Sequence, residues 1–105
     1  MSHQPYQIFT LAIDGMDLCK IDSARSDLRP NHIVLCVTEL FAGVQGGNAV
    51  EDAQQGKRFV EVTLRSYDIL GKLMHQRTYL DCFVHENRVR DGARFFVFGY
   101  GKEKQ

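Results

Sequence analysis

Residues 57–85 constrain the fold of this chain more than any other stretch, because they read as one long two-stranded hairpin. Val60, Val62 and Leu64 fall on alternate positions, with Glu61, Thr63, Arg65 and Tyr67 between or beyond them. Successive side chains of a strand point to opposite faces, so a period of two marks a strand with one buried face. The turn falls at residues 68–72, where Asp68 can bond its own backbone and Gly71 can take the positive φ of a short bulged loop. Strict alternation along the return strand places Met74, Thr78, Leu80, Cys82 and Val84 on one face. His75, Arg77, Tyr79, Asp81 and His85 then share the other.

Shorter pieces of the same kind surround this hairpin. Residues 6–13 alternate, with Phe9, Leu11 and Ile13 on one face, and end at Asp14-Gly15, a strong hairpin signal that predicts a return strand over residues 16–21. Residues 22–30 are polar and close on Pro30, which predicts a connection with no more than a single turn. Residues 33–41 are apolar on both faces, as in a strand covered on two sides. In residues 42–56, Asn48 can cap a two-turn helix with Glu51 and Asp52 at its positive end and Gly56 closing it; the competing reading is a mobile acidic loop. Residues 86–92 read as a polar connection turning at Asp91-Gly92, residues 93–100 as a last strand, and residues 102–105 as a frayed tail. The expected molecule is a single domain over residues 1–105, all-β with at most one short helix. Its architecture is a small antiparallel barrel or sandwich of about six strands, an OB-like barrel being one compatible form.

Composition excludes several classes of protein. With 44% hydrophobic and 25% charged residues the chain is neither disordered nor fibrous. It lacks an apolar run near the ~18 residues that a membrane helix needs. Its first residues show no basic segment followed by an apolar core, so no membrane association and a cytoplasmic location are expected. Cys19, Cys36 and Cys82 are odd in number and widely spaced, which suits reduced, buried thiols. Net charge is zero, yet residues 1–56 hold 3 basic against 7 acidic residues (−4) and residues 57–105 hold 10 against 6 (+4).

No catalytic signature is present. There is no Cys-x-x-Cys pair, and the odd offset between Cys82 and His85 sends them to opposite faces of a strand. The glycines of residues 43–47 lack the Gly-Lys-Ser/Thr of a phosphate loop and precede Glu51 and Asp52, which would repel a phosphate. Neither cofactor nor metal is expected, and the chain reads as non-enzymatic.

The most suggestive constellation is Arg65, Tyr67, Arg77 and Tyr79, placed by alternation on one polar face where rings could stack on bases and guanidinium groups meet phosphates. Arg88, Arg90 and Arg94 would extend it, while Glu61 and Asp81 oppose it. Residues 90–94 leading into residues 95–99 resemble the polar turn and closing strand of single-strand-binding domains, a likeness over about a tenth of the chain. The leading functional expectation is an interaction module whose partner is another protein or itself, with Phe95, Phe96, Phe98 and Tyr100 as the adhesive strand. Single-stranded nucleic-acid binding and a small-molecule-binding barrel are the two alternatives.

Overall fold

The computed structural model describes residues 8–26, 29–40 and 49–104. The elements are β1 (Ile8–Ile13), β2 (Met16–Ser26), β3 (His32–Leu40), α1 (Ala49–Gln55), β4 (Val60–Tyr67), β5 (Leu73–Arg90), β6 (Ala93–Gly99) and β7 (Lys102–Lys104). The start of the first expected strand, Phe41, the glycines 43–47 and the capping role of Asn48 lie outside the described residues.

All strand pairs are antiparallel, and the order β4-β1-β2-β3-β6-β5 closes on itself because β5 also pairs with β4. This is a barrel of one strand more than the oligonucleotide-binding type uses. Closure gives β3 and β6 a hydrogen-bonded neighbour along both edges. Two of its turns are those the sequence announces: Asp14 and Gly15 have φ of 51° and 84°, and Asp91 and Gly92 have φ of 53° and 78°. Two positive φ values in a row give the twist that a two-residue hairpin needs. At the third turn Asp68 Oδ1 accepts from the backbone N–H of both Leu70 and Lys72 at 2.9 Å, and Gly71 takes φ of 84°.

The barrel is filled by Leu11, Leu35, Val62, Cys82, Phe96 and Phe98, all essentially without exposure. An extra residue in β2 lets both Leu18 and Cys19 turn away from solvent, since Leu11 pairs with Cys19 but Ala12 with Asp17. Helix α1 adds Val50 and Ala53 to the same core. A Schellman arrangement ends it, with N–H of Arg58 donating to Ala53 O at 3.0 Å and N–H of Lys57 to Gln54 O at 3.3 Å. Lys57, at φ of 52°, takes the left-handed position expected of Gly56. Asp14 ties the helix exit to the barrel: Oδ1 accepts from N–H of Glu61 at 2.8 Å and Oδ2 pairs with Arg58 at 3.3 Å.

Three expectations are corrected. The polar residues 22–26 are strand, because residues 23–26 pair one for one with apolar residues 33–36 of β3 and ladder bonding outweighs their composition. Residues 86–90 are likewise strand, paired with residues 93–97 of β6. The tail is not frayed over residues 102–104, which form β7 against residues 78–80 of β5.

Candidate functional site

The four residues expected to share a platform do not share a face. Thr63 pairs with Thr78 and Arg65 with Gln76, so Arg65 and Tyr67 lie on one face of the hairpin while Arg77 and Tyr79, paired with Leu64 and Val62, lie on the other. The alternation changes phase at a bulge: Val60 pairs with Cys82 but Val62 with Tyr79, and the extra residue puts Asp81 at φ of 54°. Tyr79 and Cys82 are therefore both core, Tyr79 at 4% exposure. Its ring lies 4.7 Å from that of Tyr100, and burial pushes its phenol up, partly opposed by Arg77.

The arginines are engaged with side chains of this chain. Arg65 pairs with Asp17 at 3.2 Å and donates from Nε to Gln76 at 3.0 Å. Arg77 pairs with Glu103 at 3.2 Å. Arg88 meets Glu86 at 3.4 Å and covers the Phe95 ring at 5.8 Å, and Arg90 lies 4.0 Å from Asp91. Arg94 donates to Asn87 at 2.8 Å. A polyanion would compete with an internal partner at each of these five side chains.

The aromatic strand is also different from its expected role. Phe96 and Phe98 are core at 2% and 0% exposure, Phe95 is half-buried, and Tyr100 packs against the core. An adhesive surface cannot be built from Phe96 and Phe98, because the closed barrel encloses their face.

Exposed apolar side chains gather instead at the β4–β5 turn. Leu70 is 89% exposed and Ile69 68%, with Leu73, Met74 and Ile8 next to them at 40–46%. Large aliphatic side chains in a tight turn, where Gly, Asn, Asp and Ser normally sit, are the signal in the sequence that marks this site. Beside the turn, residues 73–77 of β5 pair with β4 on one edge, while on the other edge pairing by β7 begins at Thr78. Among the described residues, the second edge of 73–77 has no strand against it.

Beneath this hairpin the barrel opens into a cavity of about 290 Å³. Its apolar floor is formed by Phe9, Ile21, Ile33 and Leu64, and its rim carries Arg25, His75 and Arg77. On the outer surface another cluster joins His32, Phe83 and His85 in edge-on ring contacts at 5.3–6.2 Å, with Arg29 hydrogen-bonded to His85. Cys19 and Cys82 are held as thiols, each pushed up to about 12 by burial. Among the described residues no group of three or more His, Cys, Asp or Glu is placed to hold a metal ion, and no helix is long and apolar enough to cross a membrane.

No family model and no curated protein matches the sequence. Among solved structures, the crystal structure of Hcp1 from Salmonella typhimurium is similar, with a TM-score of 0.67 at 11% identity over 90% of this chain and 81% of that one. The two share a fold. At that identity nothing passes from one set of side chains to the other.

Proposed function

We propose that this protein is a non-enzymatic interaction module that associates with a second copy of itself through the β4–β5 hairpin, in the cytoplasm. The carrying observation is the coincidence of a strand edge at residues 73–77, unpaired among the described residues, with the exposed apolar side chains Ile69, Leu70, Leu73 and Met74. An open edge offers unsatisfied N–H and C=O groups in a row, and a neighbouring strand satisfies them. Two copies of the same edge can pair antiparallel about a two-fold axis, with each apolar turn meeting its mate's strand. A formal net charge of zero leaves no overall repulsion between copies. The free thiols at Cys19, Cys36 and Cys82 support a reducing compartment.

Light-scattering mass across a range of concentrations tests this. The wild type is expected to shift from about 12 kDa toward twice that mass as concentration rises. Met74→Lys, which places a charge on the exposed edge, is expected to hold it at the monomer mass with an unchanged melting temperature. A monomer at every concentration contradicts the reading.

A further inference from the structure

We infer that the barrel mouth binds a small amphiphilic carboxylate, its head held by Arg25 and Arg77 and its apolar body against the floor of the cavity. This is independent of self-association. The cavity lies between the far end of β2 and the β4–β5 hairpin, and its described lining contains three arginines and a histidine but no acidic residue. The arginines differ in how far they are committed. Arg65 already meets Asp17 and Gln76, and Arg77 meets Glu103 from β7. Arg25 has no ion pair among the described residues and is exposed at the rim. One unengaged and one partly compensated guanidinium suit a single negative charge, and a planar fork matches a carboxylate.

Ser66 continues the inward face of Val62 and Leu64, lines the cavity opposite His75, and is 4% exposed. Its Oγ has no hydrogen-bond partner among the described residues. That oxygen has essentially no accessible surface, so it lies behind the cavity wall and a ligand in the cavity does not reach it. Phe9, Ile21, Ile33 and Leu64 then exclude a wholly polar anion, while a volume of about 290 Å³ sits at the small end of the range for ligand pockets. The same chemistry has two sources, a free organic acid or the carboxylate terminus of a peptide ending in an apolar residue.

Amide chemical-shift titration of the full chain separates these. The probes are 3-phenylpropionate, its primary amide, and a short peptide ending in leucine as free acid and as amide. The titrations are run in the Met74→Lys background so that association plays no part. Saturable shifts at residues 64–66 and 75–77 are expected with the acids, at least about tenfold weaker with the amides and in Arg25→Gln, as loss of a charge-assisted hydrogen bond implies. Tighter binding of the peptide acid than of phenylpropionate assigns the ligand to a chain terminus; the reverse assigns it to a free acid. Equal affinity for acid and amide, unchanged binding in Arg25→Gln, or no saturable shift at these residues overturns the inference. Arg25 is exposed, so its variant keeps the barrel, and the dispersion of the spectrum reports that directly.

Discussion

Cys19 and Cys82 carry the most pH-sensitive chemistry of the core. Each thiol keeps its proton in the folded barrel to about 12, against an ordinary value of 9.0. The unfolded chain therefore releases protons first as pH rises, and stability falls with pH wherever the unfolded state binds fewer protons. The contribution is fully present below pH 9 and is lost between there and 12. Thermal unfolding followed by circular dichroism should show a flat melting temperature from pH ~7 to ~8 and a decline above ~9. Cys82→Ala should lower stability at neutral pH and make that decline shallower; a decline of unchanged steepness would remove Cys82 from its cause. Cys82 read as buried from the sequence because it falls in apolar alternation, whereas Cys19, on a weaker strand among Asp17, Lys20 and Asp22, was less legible; Cys36, also in apolar alternation, is half-buried. Tyr79 did not read as buried, since its inward position depends on a residue two places further on.

That residue is Asp81, and it belongs to the architecture of β5. A period-two reading assumes unbroken pairing, so a single extra residue inverts every assignment on one side of it. The faces of Cys82 and Val84 were legible, and those of Arg77 and Tyr79 were inverted. With φ of 54°, Asp81 occupies a conformation that glycine tolerates and β-branched residues do not. Asp81→Val is expected to cost about 1–3 kcal/mol in urea unfolding, whereas Asp81→Gly should be neutral within about 0.5 kcal/mol. Equal losses for both would place the importance of Asp81 in its carboxylate. The turns at Asp14-Gly15, Asp68–Lys72 and Asp91-Gly92 were legible because their chemistry is local. The lengths of β2 and β5 were not, since residues 22–26 and 86–90 are strand only by virtue of partners far along the chain.

At the scale of the whole molecule, closure decides which apolar surface remains for a partner. The strands β3 and β6, apolar on both faces, were legible as covered elements: Leu35 and Phe96 are buried on one face and Val34 and Val97 on the other, and the ring of pairings encloses the first pair. It also takes Phe96 and Phe98 out of any interface and leaves Ile69, Leu70, Leu73 and Met74 as the exposed apolar group beside an open edge. Pairing of a second copy with that edge is read most directly by amide hydrogen exchange at low and high protein concentration. The amides of residues 73–77 that face away from β4 should exchange freely in dilute solution and become protected as concentration rises, while Met74→Lys stays unprotected. Association with no added protection at residues 73–77 would contradict the account and place the contact elsewhere on the barrel.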